Sequence, residues 1–256
     1  ISHFLCVPAN YLFMSQHPDF ETSDWSRVVC ANVGGAPMPR PLLEFYAAKK
    51  NVAIRQGFGM TETSPLVTLQ DPETALEKVG SAGRSALHSE MRIIREDGAE
   101  AERDEVGELW VKGPNITPGY WKRPDANASD WVDGWFRTGD AARIDPDGDL
   151  WIVDRWKDMY ISGGENVYPA EVESVLFALE GVADAAVIGE PDEKWGEVGV
   201  ACIVRKEGAA ITEEDVILHC QGRLARYKIP KRVAFLDVLP RNATGKVLKR
   251  ELRGAV

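Results

Sequence analysis

Residues 135–169, WFRTGDAARIDPDGDLWIVDRWKDMYISGGENVYP, constrain the fold more than any other stretch, because a hairpin, a basic joint and a glycine turn follow one another without a break. Residues 142–154 read as two short strands around Asp145-Pro146-Asp147-Gly148, where proline sets φ and glycine supplies the positive φ of a tight turn. The strand-like residues before it end on Thr138-Gly139-Asp140, a carboxylate beside a glycine where a backbone or ligand can come close. The hairpin is expected to bring Asp140 and Arg155 to the same end. Lys157 follows, and an apolar triplet then runs into Gly163-Gly164. Taken singly, these are the marks of a surface hairpin, a salt bridge and a linker. Their concentration marks a joint between two bodies, residues 1–156 and 157–256.

The first body divides into an α/β part over about residues 1–75 and a small β subdomain over about 76–156. Residues 4–7 and 27–32 read as strands and 11–15 as helix. Gly34-Gly35-Ala36-Pro37 then forms a strand-to-helix junction before a helix through Leu42, Leu43 and Phe45. Strand, tight glycine turn and helix leave a crevice at strand carboxyl ends, where ligands tend to bind. A strand over 52–56 runs into Gly57-Phe58-Gly59-Met60-Thr61-Glu62-Thr63. There a flat ligand could lie against backbone and ring, with hydroxyls and a carboxylate beyond it for phosphate and a hard cation. It is not a dinucleotide fingerprint, since Glu62 stands at the third glycine position. Short strands at 91–94 and 108–111, with a turn at Asp97-Gly98, suggest a small barrel, and the irregular 113–121 segment is expected to serve packing.

After the joint the periodicity changes. Pro169 opens a helix with Val172, Val175, Leu176 and Leu179 on one face. Strands follow at 183–189 and 200–204, a capping box at Thr212 and Asp215 opens a helix through Val216, Leu218 and Leu224, and 233–236 is a last strand. This αββαβ order makes an independent α+β domain. The closing PRNATGKVLKREL sets Lys246 after a Thr-Gly turn and before a basic amphipathic helix. It is no Walker loop, because Pro240 and Val247 occupy positions that need glycine and Ser or Thr.

A net charge of −10 argues against a nucleic-acid surface, though not against a local site for anions. Cys6, Cys30, Cys202 and Cys220 are far apart and show neither a disulfide framework nor metal-ligand spacing, so they read as thiols in a reducing, cytoplasmic compartment. The apolar start carries His3, Pro8 and Asn10 and lacks a basic leader, so neither a signal peptide nor a membrane span is expected.

Taken together, GFGMTET, GELWVKGPNITPGYW, WFRTGDAARIDPDGDLWIVDRWKD, SGGENVYPAEVE and PRNATGK resemble the adenylate-forming superfamily of acyl-CoA synthetases, peptide-synthetase adenylation domains and luciferases. SGGENVYPAEVE and LPRNATGKVLKREL look most like bacterial fatty-acyl-CoA ligases. The resemblance implies a two-step reaction. A carboxylate attacks the α-phosphorus of Mg·ATP to give acyl-AMP, and the thiol of coenzyme A then displaces AMP.

Roles transfer by position. Lys246 would cancel the repulsion between two anions. Asp140 would accept from both ribose hydroxyls, with Arg155 on the same sugar. Phe58 would stack on adenine, with Gly34, Gly35 and Ala36 on its other side and Gly59 beside it. Thr61 would contact phosphate and Glu62 the magnesium. Val33, Gly34 and Phe58 would line the acyl pocket, Gly163 and Gly164 the coenzyme A tunnel, and Lys157 would be the hinge on which the small domain turns.

The superfamily's Ser/Thr/Gly-rich phosphate loop ending in Pro-Lys-Gly has no counterpart in these residues. The chain therefore reads as the carboxyl-terminal half or so of such an enzyme, with bare strand edges and little turnover by itself. Homo-oligomerisation is expected at those edges if anywhere. A peptide-synthetase adenylation domain and a non-catalytic nucleotide or acyl-CoA binder are the competing readings.

Overall fold

The computed structural model describes residues 1–241 and 247–254. It divides into two compact units, Ile1–Ile152 and Val153–Val256. In the first, β1 (His3–Cys6), β2 (Cys30–Val33) and β3 (Ile54–Gly59) run parallel, linked by α1 (Pro8–Gln16) and α2 (Arg40–Lys50). Antiparallel β4 (Leu66–Leu69) and β5 (Arg84–Ser85) complete the order β1-β2-β3-β4-β5. Tyr11 and Leu43 pack with Tyr46 against Ala31, Val33 and Ile54. Both phenols keep partners there, Tyr11 on the Asn32 carbonyl at 2.8 Å and Tyr46 on the Tyr11 carbonyl at 2.7 Å. Pro37 stays outside α2, which is capped at Pro39 and takes Pro41 into its first turn. β1 is an end strand, and Leu5, Val7, Phe13 and Val29 near it are exposed.

The second sheet of this unit follows the order β10-β9-β7-β6 with β8 on β9. Its strands are β6 (Glu90–Ile94), β7 (Gly107–Lys112), β8 (Trp131–Val132), β9 (Trp135–Ile144) and β10 (Leu150–Arg155), with α3 (Pro124–Asp130) before β8. The path has two ends, so this is an open sheet and not the barrel that strand spacing suggests. β9 continues through Thr138-Gly139-Asp140 instead of ending there.

The expected Asp-Pro-Asp-Gly turn is present, and it is tied to a distant residue. Lys78 Nζ stands 2.9, 2.7 and 2.8 Å from carboxylate oxygens of Asp145, Asp147 and Asp149. Burial pushes the Asp145 carboxyl up. Hydrogen bonds from Lys78, Trp151 and the Asp149 N–H outweigh it and bring the pKa down to about 2.

The second unit holds the hairpin β11 (Tyr160–Ser162) and β12 (Glu165–Val167), α4 (Pro169–Phe177), β13 (Val182–Asp192), β14 (Gly196–Arg205), α5 (Glu213–Cys220), β15 (Arg232–Phe235) and α6 (Lys249–Leu252). The sheet order is β12-β11-β14-β13, with β15 parallel to β14. Val172 and Leu176 of α4 bury against Val187, Ala201 and Ile203. The capping box forms as expected: Thr212 N–H donates to Asp215 Oδ2 at 2.9 Å and Asp215 N–H to Thr212 Oγ1 at 3.2 Å. Two departures follow from short range. α5 stops at Cys220, before Leu224, and three-residue β11 and β12 are too brief to carry a periodic signal.

Candidate functional site

The carboxyl ends of parallel β2 and β3 meet at a turn. Gly35 holds φ at 80°, and a Cβ on Gly34 would lie 3.6 Å from the Gly57 carbonyl, so the turn and β3 are backbone neighbours. Met38 N–H donates to Gln56 Oε1 at 2.8 Å and pins the far side of the turn to β3. Gln56 is buried, a polar residue at an inward strand position that sequence reasoning passed over. Ala36 is exposed on the turn. Val33 is buried in the core with Tyr11, Leu43 and Tyr46, so its side chain serves packing. A cavity of about 460 Å³ lined by His3, Cys30, Asn51 and Arg55 opens at the other, amino ends of the same strands.

Gly57-Phe58-Gly59 is strand, and its glycines have a structural cause. A Cβ on Gly57 would stand 2.8 Å from the Thr68 carbonyl, and one on Gly59 1.7 Å from the Pro65 carbonyl. The close approach of β4 therefore requires both. Phe58 is half-buried, packed against the cluster of Val67, Leu109 and Phe136.

The chain then turns through the short 3₁₀ segment Thr61–Thr63. Thr63 Oγ1 fastens it, donating to the Pro65 carbonyl at 2.7 Å and accepting from Met60 N–H at 3.0 Å. Thr61 is exposed and Glu62 half-buried beside it. The 113–121 segment does more than pack. Asn115 Nδ2 donates to the carbonyls of Thr63 and Leu66 at 3.0 and 2.9 Å, Thr117 N–H to that of Glu62 at 2.8 Å, and Tyr120 Oη to Glu62 Oε1 at 2.9 Å.

Asp140 lies on a bulge. Arg137 pairs with Trp110 and Ala141 with Glu108, so three residues of β9 face the single Leu109 of β7. Gly139 takes φ 69°, and the Thr138 hydroxyl bridges the gap, donating to the Leu109 carbonyl at 2.8 Å and accepting from Asp140 N–H at 3.1 Å. Such a bulge re-aims a side chain at a fixed place, here a carboxylate 6% exposed.

The remaining predicted residues lie past Ile152, in the second unit, whose boundary falls within β10. Arg155 closes β10, with its N–H on Asp154 Oδ1. Lys157 is exposed in the 3₁₀ turn Trp156–Asp158. Gly163 and Gly164 are the two-residue loop of the β11–β12 hairpin at φ 63° and 87°, a pairing that favours glycine at both positions. Gly163 is crowded by Trp195, 2.8 Å from a would-be Cβ, whereas Gly164 has nothing within 4 Å. Lys246 lies outside the described residues.

Among the described residues no group of three or more His, Cys, Asp or Glu could hold a metal ion. A cation at Glu62 would therefore take fewer than three such side chains from the described residues and the rest from phosphate and water. That is how Mg²⁺ is commonly bound, so the residues fit it. No helix among the described residues is long and apolar enough to cross a membrane.

Residues 1–121 match the family model "AMP-binding enzyme", and residues 171–246 the model "AMP-binding enzyme C-terminal domain". A long-chain-fatty-acid–CoA ligase, FadD13, of Mycobacterium tuberculosis is 47% identical over 96% of the chain and 48% of its own length. A feruloyl-CoA synthase of Amycolatopsis is 44% identical over 96% of the chain and 50% of its own length. The o-succinylbenzoate CoA synthetase of Bacillus subtilis, solved with ATP and magnesium ion, superimposes with a TM-score of 0.88 at 38% identity, over 98% of this chain and 51% of that one. The chain thus spans about half the length of the relatives it matches.

Proposed function

Since the chain belongs to the AMP-binding enzymes of the adenylate-forming superfamily, we propose that the protein carrying it is an AMP-forming acid–thiol ligase that activates a fatty acid and transfers it to coenzyme A. The observation that carries this reading is the Thr61–Thr63 turn. It sets a hydroxyl and a hard carboxylate side by side at the end of β3, the strand whose Gly57 lies beside the glycine turn after β2. Such a pair suits the phosphates of ATP and their cation.

In this reading Phe58 meets the adenine, with Gly34, Gly35 and Ala36 across from it and Gly59 leading to Thr61. Asp140 accepts from both ribose hydroxyls, a task for a carboxylate fixed on a bulge, and Arg155 steadies the same sugar. Thr61 holds phosphate, and Glu62 would hold magnesium, which when bound offsets charge on the phosphates. Lys246 brings the positive charge that lets a carboxylate approach the α-phosphorus. Gly164, with open space where a Cβ would stand, leaves room for the pantetheine arm. Lys157 serves as the hinge between the half-reactions. The preference for a fatty acid rests on FadD13, 47% identical over 96% of the chain, against a 2-succinylbenzoate–CoA ligase at 49% over 88%. Relatives named for feruloyl and o-succinylbenzoate substrates make an aromatic acid the second reading.

The test is carboxylate-dependent exchange of labelled pyrophosphate into ATP, on this chain and on a longer protein containing it, with acetate, octanoate, palmitate and benzoate. Exchange should be fastest with octanoate or palmitate and fall by about 100-fold or more in Lys246→Ala. Exchange with benzoate alone would move the substrate to the aromatic acids. No exchange from the longer protein would overturn the activity.

A further inference from the structure

Resting on the reading of Glu62 as the carboxylate that meets the nucleotide's cation, we propose that Tyr120 is its positioning residue: the phenol fixes one carboxylate oxygen and leaves the other for the metal. Tyr120 Oη donates to Glu62 Oε1 at 2.9 Å, and among the described residues Oε2 takes no hydrogen bond. Glu62 is held by its main chain too, through Thr117 N–H on its carbonyl at 2.8 Å. One segment thus grips the residue at both ends. That matters because the described residues offer no group of three or more such ligands, so a cation there depends on how the few protein ligands it has are oriented.

The phenol is itself fixed. Asn127 brackets the Tyr120 main chain, its Oδ1 accepting from the N–H at 2.7 Å and its Nδ2 donating to the carbonyl at 3.1 Å. Trp131 meets the ring edge-on, centroids 5.5 Å apart at 82°. Without the hydroxyl, the half-exposed Glu62 side chain would regain rotamers that metal binding must then freeze.

The experiment uses the longer protein and Mn²⁺, read by electron paramagnetic resonance, with α,β-methylene-ATP, whose P–C–P bridge cannot break and which therefore cannot transfer its adenylyl group. Tyr120→Phe keeps the ring and its Trp131 contact. It should weaken Mn²⁺ binding to the nucleotide complex by about tenfold or more while metal-free binding of the analogue stays unchanged. Glu62→Gln should weaken Mn²⁺ further. If Tyr120→Phe binds Mn²⁺ as the parent does while Glu62→Gln does not, the positioning role is overturned and Glu62 keeps its own. If Glu62→Gln also binds Mn²⁺ normally, the metal role of Glu62 falls and the proposal with it. If Tyr120→Phe loses metal-free nucleotide binding to the same degree, the phenol is a structural support and the proposal fails.

Discussion

Gly59→Ala tests whether the Gly-x-Gly strand end is dictated by the neighbouring strand. A Cβ there would sit 1.7 Å from the Pro65 carbonyl oxygen, 2.7 Å from its carbon and 3.0 Å from Leu66 Cα. An ordinary contact requires the two backbones to part by roughly 1.5 Å, more than a packed interior yields. The Gly59 and Leu66 pairing at the end of β3 and β4 is the first to break. A lost ladder bond at about 1 kcal/mol and overpacking at about 1–3 kcal/mol give a total of about 2–4 kcal/mol. For a unit of this size that lowers Tm by about 4–16 °C. Gly98→Ala is the control: unlike Gly59 it needs positive φ, at 84°, but nothing lies within 4 Å of its Cβ. It should cost about 1 kcal/mol through backbone conformation alone. Differential scanning calorimetry of the two variants decides the matter. A Gly59→Ala protein as stable as Gly98→Ala would refute the steric account and return the glycine to a ligand-contact role.

Tyr160 is 1% exposed, and its hydroxyl has no hydrogen-bond partner among the described residues. Tyr160→Phe removes a buried polar atom that costs about 1–3 kcal/mol to leave unpaired, so urea unfolding should show unchanged or raised stability. A loss of more than about 1 kcal/mol would reveal a partner instead. Asp145, held at a pKa of about 2 in the fold, has an ordinary value near 3.8. A depressed carboxylate stabilises the fold fully above its unfolded pKa and loses that effect as pH falls through the folded one. The deficit of Asp145→Asn relative to the parent should therefore be constant at neutral pH and shrink between about pH 4 and pH 2. A deficit independent of pH would contradict the Lys78 contact.

What the sequence disclosed was local. The Asp-Pro-Asp-Gly turn, the Thr212 capping box, the glycine turn after β2 and the crossover helices are each written in adjacent residues, and the structure has them all. What it concealed was paired at a distance. Lys78 finds its three carboxylates 67 to 71 residues away, and Tyr120 finds Glu62 58 residues back. Neither contact leaves a periodic trace, so the 113–121 segment reads as packing until its asparagine and phenol are seen clasping the Thr61–Thr63 turn. The bulge at Asp140 was hidden differently: Thr138-Gly139 reads as a strand end because glycine weakens a strand, whereas β9 absorbs two extra residues there and continues.

The central claim is that the protein joins a carboxylate to the α-phosphorus of ATP, and oxygen transfer tests it most directly. The longer protein would be incubated with doubly ¹⁸O-labelled octanoate, ATP, Mg²⁺ and coenzyme A, and the nucleotide product examined by mass spectrometry. The account predicts AMP carrying one ¹⁸O, released with octanoyl-CoA, because the acyl–phosphate bridge breaks on the carbonyl side when the thiol attacks. Unlabelled AMP, or ADP as the product, would contradict it.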